Sequence, residues 1–197
     1  FTLDVTDPSA FEAFLKAPQR PIRVLVNNAG IMNRGKFHQI PLASHLRELN
    51  IDLSSVIIGT HLVLPEMLKH NKGHIINVAS MAGKFTLAGV ATYNATKFGV
   101  VALSRSIRNE IKYSNVKITT ILPSAVRTDL LAGISSKGVP TYTPETIAQE
   151  IFNALQHQKP EVSIPRWANL TAIAEQVLPE KIFDNMKKLM GGERLMK

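Results

Sequence analysis

Short apolar runs alternate along the chain with longer stretches in which apolar residues recur every three or four positions. IRVLVNNAG at 22–30 and VKITTILPS at 116–124 have apolar, β-branched centres, typical of strands buried on both faces of a parallel sheet. IINVAS at 75–80 predicts another strand, and PEVSIP at 160–165 predicts an edge strand because prolines flank it. FTLDV at 1–5 predicts the end of a further strand.

The periodic stretches predict four helices, which cover residues 7–17, 44–70, 92–113 and 144–157. Asp7 and a proline begin the first helix, and Thr143, a proline and a glutamate begin the last, in N-terminal capping order. Strands and helices alternate without an internal repeat or a low-complexity linker. We therefore predict one α/β domain over 1–197, built on a doubly wound, Rossmann-like parallel sheet.

Composition narrows the classes of function. The 197 residues include no cysteine, which excludes disulfides and thiol chemistry. The net charge of +8 comes from scattered lysines and arginines, and aromatics are only 6%, so we expect no nucleic-acid partner. No continuous apolar run approaches ~18 residues, so we expect no membrane span and a cytoplasmic location. His70 and His74 do not share a helix face, so we expect no metal site.

Polar residues follow three of the predicted strands, at Asn27–Gly30, Ala79–Ser80 and Pro123–Ser124. Ligands of doubly wound sheets bind outside the carboxyl ends of the strands. The sequence therefore predicts a site at this edge of the sheet.

Tyr93 and Lys97 lie four residues apart on a predicted helix, so their side chains share a face. A nearby ammonium favours phenolate and lowers the pKa of a tyrosine, which allows general acid/base catalysis. The Ser80 hydroxyl, thirteen residues before the tyrosine, would hold the reacting oxygen. A solvent-facing helix could carry such a pair by chance, but the strand, serine and tyrosine–lysine pattern taken together favours an active site.

Together these motifs resemble the short-chain dehydrogenase/reductase family over essentially the whole chain. The resemblance rests on NNAG at 27–30, ELNIDLSSVIIGT at 48–60, IINVAS followed by YNATK at 93–97, and LPSAVRTDL at 122–130. It implies that Tyr93 is the general acid/base, that Lys97 lowers its pKa and binds the nicotinamide ribose, and that Ser80 orients the substrate. Asn50 would bend its helix, so that a backbone carbonyl holds a water in a proton relay.

The resemblance also implies a nicotinamide cofactor, either NAD or NADP. The residues expected to contact it are Asp4, Val5, Asn28, Ala29, Gly30, Tyr93, Lys97, Pro123, Val126 and Thr128. Asp4 could instead cap the turn after its strand, and Thr128 could cap the helix that follows. Ser124 stands where the family usually has glycine, which puts close backbone approach to the nicotinamide in question.

The glycine-rich turn that cradles the pyrophosphate in the family is absent from the chain. We therefore expect a truncated or incompletely ordered copy of a longer protein, lacking a first βαβ unit of roughly 50–70 residues. The choice between NAD and NADP would be read from that segment.

The segment 130–143 would form a substrate lid, and its apolar residues suggest an apolar substrate. The tail 166–197 has a helical apolar pattern, for which packing on the domain or on another subunit is favoured over a membrane surface. Helices 44–70 and 92–113 carry more apolar surface than one buried face needs, so we expect a homodimer or homotetramer.

The sequence thus predicts an NAD(P)-dependent oxidoreductase that interconverts a secondary alcohol and a carbonyl by hydride transfer, with a small-molecule substrate. The alternative is a non-catalytic dinucleotide-binding regulator or scaffold with the same fold, which has no need of all three of Ser80, Tyr93 and Lys97.

Overall fold

A computed structural model of the chain describes residues 2–131, 140–179 and 181–182. Its main sheet has four parallel strands in the order β1-β2-β3-β6. They are β1 (Val24–Asn27), β2 (Gly73–Val78), β3 (Val116–Pro123) and β6 (Glu161–Ile164). β6 lies at an edge, as the flanking prolines predicted. A short parallel pair, β4 (Ala125–Val126) and β5 (Thr141–Tyr142), was not predicted.

The helices follow the predicted order along the chain. They are α1 (Pro8–Lys16), α2 (Leu42–Leu49), α3 (Ser55–Lys69), α4 (Ala91–Glu110), α5 (Pro144–Gln156) and α6 (Asn169–Val177). Short 3-10 turns cover Phe37–Gln39, Met81–Gly83, Asp129–Leu131 and Arg166–Ala168. The Asp7 side chain accepts hydrogen bonds from Ser9 N and Ala10 N, and Thr143 accepts one from Thr146 N, which confirms both predicted caps.

Apolar side chains from the two faces of the sheet pack against different helices, which makes the fold doubly wound. Ile75 and Ile118 belong to a core cluster with Phe11 of α1 and Val63 of α3. Residues on the other face, including Ile76, Ile121 and Val162, pack against Ile147 and Ala154 of α5. The predicted fold class is therefore confirmed.

The single long helix predicted for 44–70 is divided into α2 and α3 by a π-helical turn, Asn50–Ser54. The run Leu42–Lys69 has 28 residues and a mean hydropathy of 1.4 in its most apolar window, long and apolar enough by those measures to cross a membrane. Core helices pass the same test, and here Val63 and Met67 are buried against the sheet. Only 39% of that window is buried, so packing against the sheet accounts for part of this composition and the rest of the apolar surface is exposed.

Two predictions about the strands are wrong. Residues 2–5 form no strand, because no strand of the described chain lies beside them to complete the hydrogen bonds; Asp7 N instead donates to Asp4 O in a turn. Strand β1 is not buried on both faces, since Val24 and Val26 are each 42% exposed at the sheet edge. The predicted lid falls largely on 132–139, and half of the predicted tail on 180 and 183–197, outside the described residues.

Candidate active site

The carboxyl ends of β1, β2 and β3 border a cavity of about 580 Å³. Residues from the strand ends, α4 and α5 line it: Val26, Asn28, Gly30, Val78, Ala79, Ser80, Tyr93, Lys97, Pro123, Ser124, Val126, Thr128, Leu130, Pro144, Ile147, Ala148 and Ile151. The three polar clusters predicted at this edge of the sheet therefore meet in one place.

Ser80 leaves the end of β2 and caps the 3-10 turn that follows. Its Oγ accepts a hydrogen bond from Ala82 N at 3.1 Å and donates to Pro123 O at 3.4 Å. The hydroxyl is thereby tied to both β2 and β3, which fixes its position at the cavity wall.

Tyr93 and Lys97 lie on the first two turns of α4, as predicted, and are both buried. The Lys97 Nζ atom is 5.3 Å from the centre of the Tyr93 ring. Asn94, between them, donates from Nδ2 to Ala82 O and Phe85 O, which holds the start of α4 against the Ser80 turn. Ser80, Tyr93 and Lys97 are therefore brought together by a buried hydrogen-bonded junction.

The pKa of Tyr93 is raised above its ordinary value, because burial disfavours the phenolate more than its neighbours favour it. The Lys97 ammonium and a hydrogen bond with the Ser80 hydroxyl both act to lower that pKa, in the predicted direction. The negative charges of Asp52 and Glu48 act to raise it. Lys97 therefore acts on the pKa of Tyr93 in the predicted direction, but burial outweighs it in this structure.

Asn50 is not brought into this cluster. It begins the π-helical turn, but its side chain is exposed. The buried side chain on that turn is Asp52, whose Oδ2 lies 3.2 Å from Lys97 Nζ. The helix is distorted where Asn50 was expected to bend it, yet a carboxylate two residues later makes the contact with the lysine.

Seven of the predicted cofactor residues line the cavity: Asn28, Gly30, Tyr93, Lys97, Pro123, Val126 and Thr128. Ala29, Asp4 and Val5 do not line it. The Asp4 carboxylate accepts hydrogen bonds from Thr6 N and Thr6 Oγ1, so it caps a turn, the alternative considered for it. Ser124 has no positive φ, and its N–H donates to Ile164 O, so its conformation does not require glycine there.

A family model for short chain dehydrogenases matches residues 1–138. The chain belongs to this family. Among curated short-chain dehydrogenases, retinol dehydrogenase 10-B of Danio rerio is 30% identical over 183 residues, covering 89% of this chain and 54% of the relative. Human retinol dehydrogenase 10 is 29% identical with the same coverage. The chain thus spans about half the length of the curated relatives it matches.

Two solved structures have a similar fold. A short-chain dehydrogenase from Streptomyces avermitilis superimposes with a TM-score of 0.78 at 22% identity, covering 98% of this chain and 80% of that one. A putative gluconate dehydrogenase from Agrobacterium tumefaciens gives 0.63 at 27% identity, covering 67% and 53%.

Several residues that line the cavity of this short-chain dehydrogenase were not predicted from the sequence as site residues. They are Pro144, Ile147, Ala148 and Ile151, on one side of α5, whereas Leu130, which also lines the cavity, belongs to the predicted lid 130–143. Their spacing of three or four residues was visible and marks a buried helix face. It could not show whether that face meets the core or a cavity, because that depends on where the helix crosses the sheet.

The cavity fits the nicotinamide and ribose part of the cofactor that the family implies. Its volume is in the range of small-molecule sites, and it combines a buried cation, Lys97, with the polar side chains of Asn28 and Thr128 and an apolar wall. These residues would hold that part of the molecule. The roles assigned to individual residues stay predictions.

Proposed function

We propose that this chain carries the catalytic centre of an NAD(P)-dependent oxidoreductase. The enzyme would interconvert a secondary alcohol and a carbonyl. The main support is the convergence of Ser80, Tyr93 and Lys97 on one cavity at the carboxyl ends of the strands. When bound, the nicotinamide supplies or accepts hydride. The side chains of this chain supply position and a proton.

Each of the three side chains has a distinct task in this proposal. Ser80 binds the substrate oxygen and stabilises the charge that develops on it. Tyr93 donates its phenolic proton to that oxygen during reduction, or removes one during alcohol oxidation. Lys97 favours the phenolate by its charge and binds the ribose hydroxyls.

The decisive experiment compares Tyr93→Phe with Tyr113→Phe, since Tyr113 is 91% exposed and lies outside the cavity. Turnover, followed as NADH or NADPH oxidation with ketones and aldehydes, is expected to fall about 100-fold or more in Tyr93→Phe. Cofactor binding, followed by fluorescence, should be retained, and Tyr113→Phe should behave as wild type. Unchanged turnover in Tyr93→Phe would refute the proposed mechanism.

We infer that the substrate is apolar. Val126, Leu130, Ile147 and Ile151 line the cavity, and the matched relatives are retinol dehydrogenases, named for an apolar alcohol. The structural relative named for gluconate offers the opposite case, a strongly polar substrate. Retinol and gluconate are therefore the first two probes, and a higher kcat/KM with gluconate would contradict the inference.

A further inference from the structure

The segment 84–90 connects the 3-10 turn after β2 to α4, and Asn94 holds its inner side. Asn94 Nδ2 donates to Phe85 O at 3.0 Å, and Asn94 Oδ1 accepts from Leu87 N at 3.1 Å. The Leu87 side chain packs against the apolar cluster that contains Tyr93. The inner side of the segment therefore contributes directly to the surroundings of the tyrosine.

An apolar patch surrounds Tyr93. Its members, Met32, Leu87 and Leu130, are partly exposed and pack against the buried cluster of the tyrosine. Tyr93 and Leu130 also line the cavity, so the patch is continuous with it. An apolar substrate whose oxygen reaches the phenol would gain by laying its carbon chain against this patch.

The outer side of the same segment is bonded to β6 and α6. Thr86 N donates to both carboxylate oxygens of Glu175, at 3.1 and 3.0 Å, and Thr86 Oγ1 donates to Glu175 Oε1. Two residues earlier, Lys84 Nζ donates to Asn169 Oδ1 at 2.8 Å and to Glu161 Oε1. We call these bonds of Lys84 and Thr86 the clasp.

The clasp is the main attachment of α6 among its described side chains. None of those side chains is buried, and Leu170, Ile173 and Val177 are 67%, 56% and 74% exposed. Helical spacing puts Glu175 on the side opposite to these three. Ala168, just before the helix, packs in the core. Apolar burial thus fixes where α6 begins, and the clasp fixes where the rest of the helix lies.

We propose that the clasp positions Leu87, and that α6 thereby controls how tightly the apolar part of the substrate is held beside Tyr93. The proposal rests on the function proposed above and names residues that set its substrate range. Thr86 and Leu87 are adjacent, so loss of the bonds to Glu175 would let Leu87 move away from the tyrosine. Glu175 and Lys84 are positioning residues, since they act on the substrate through Leu87.

The test uses Glu175→Ala and Lys84→Met, each of which releases one half of the clasp. After Lys84→Met, Glu161 keeps Arg105 Nη2 as a partner at 3.0 Å, so its carboxylate does not lose its last cation. Glu175→Gln keeps an acceptor oxygen and is the conservative variant. Glu110→Ala removes an exposed acid at the end of α4 and is the control.

Hydrogen exchange of the full chain, followed by NMR, measures how the segment is held without any substrate. The Thr86 amide should exchange about 10-fold faster in Glu175→Ala, because it loses its acceptor. The Leu87 amide, whose acceptor does not belong to α6, should still exchange about 5-fold faster. Glu175→Gln should lie closer to wild type, and Glu110→Ala should match it. An unchanged Leu87 amide in both Glu175→Ala and Lys84→Met would overturn the proposal.

Steady-state kinetics with NADH or NADPH and two ketones, methyl hexyl ketone and acetone, measures the effect on substrate fit. KM for methyl hexyl ketone should rise about 5-fold in Glu175→Ala, with kcat changed less than about 2-fold. The reason is that Asn94 holds the Ser80 turn against α4 without help from α6. KM for acetone, too short to cover the patch, should stay unchanged.

Leu87→Ala should give the same pattern as Glu175→Ala. Adding Glu175→Ala to Leu87→Ala should raise KM no further, since the two act through one side chain. An equal rise in KM for the two ketones, or a fall in kcat alone, would contradict the proposed role of the clasp.

The two proposals fail in different ways. Absence of turnover with either ketone in wild type and every variant would count against the oxidoreductase function, while hydrogen exchange would still decide whether the clasp holds Leu87. Normal turnover with unchanged exchange and an unchanged ratio of the two KM values would retain the oxidoreductase and remove α6 from it.

Discussion

The carboxamides of Asn27 and Asn77 lie side by side between β1 and β2, and Asn27 Nδ2 donates to Asn77 Oδ1 at 2.8 Å. Asn77 Nδ2 donates in turn to Ser104 Oγ of α4 at 2.9 Å. Both asparagines are buried, so each lost bond would leave a polar group without water. This network joins the two strands whose ends carry NNAG and Ser80.

We expect Asn77→Ala to lower the free energy of unfolding by about 2–4 kcal/mol, because it removes both buried bonds. Asn27 would keep only its 3.4 Å bond to Thr60 Oγ1, and Ser104 only its bond to Val100 O. Urea denaturation monitored by circular dichroism measures the change. Asn115→Ala, at an exposed position before β3, is the control and should cost less than about 0.5 kcal/mol. Equal costs in the two variants would contradict this account of the network.

Gly59 of α3 permits close approach of that helix to β1 and α1. An added Cβ atom would lie 2.6 Å from Asn27 Oδ1 and 2.9 Å from Phe11 Cζ, both held in the core. Gly59→Ala is therefore expected to destabilise the protein by about 1–3 kcal/mol.

Gly99 of α4 provides a matched comparison for Gly59. There an added Cβ would meet the flexible end of Leu53, with Cδ2 at 2.9 Å, and alanine gains about 1 kcal/mol in helix propensity. Gly99→Ala should be close to neutral. Thermal unfolding of both variants tests the contrast, and a larger loss in Gly99→Ala would reverse the argument.

His74 should make stability depend on pH. Burial is the main cause that lowers its pKa, helped by the charge of Lys117, and its Nε2 is 2.7 Å from Thr119 Oγ1. The unfolded chain therefore binds a proton more readily than the folded one. Stability should be complete above the ordinary pKa of about 6.5 and decrease as pH falls below it towards the lowered pKa.

Urea midpoints between about pH 5 and pH 7.5 measure this dependence. His74→Gln should have a flatter profile than wild type, whereas His38→Gln, at an exposed position, should keep the wild-type slope. A wild-type slope in His74→Gln would assign the pH dependence to other groups.

Self-association stays a prediction, and it would use exposed apolar side chains of α2, α3 and α4. Leu42, Leu46, Leu49, Ile57 and Phe98 are all exposed. Light scattering at micromolar concentration is expected to give a multiple of 21.7 kDa. Leu46→Glu should shift the protein towards monomer, and Phe152→Glu on α5 should not. A wild-type monomer would contradict the prediction.

The sequence was sufficient for the parts of the site that depend on local geometry. Tyr93 and Lys97 share a helix face because they are four residues apart, and Ser80 follows a strand whose end lies at the site edge. The capping residues Asp7 and Thr143 were likewise predictable, since a cap bonds backbone atoms only two or three residues away.

The predictions that were wrong or missing concern features that depend on packing between residues far apart in the sequence. Val24 and Val26 alternate with the buried Leu25 and Asn27, so they share the opposite face of β1, and the sequence of a strand does not record whether a helix covers that face. Asp52 was missed because the 44–70 pattern predicts a continuous α-helix, and apolar periodicity does not distinguish a π turn from an α turn. Only the structure shows which polar residue of the turn is buried.

The π turn of residues 50–54 also limits which insertions and deletions this region can accept. A π turn holds one residue more than the α turn it replaces, so removing one residue would restore an uninterrupted α-helix without turning α2. Adding a residue would instead rotate everything before it by about 100° relative to α3. Val63 and Met67 would keep their places in the core, while Glu48 would turn away from Asn33. Such a chain is expected to fold with its sheet intact and the loop after β1 released from Glu48.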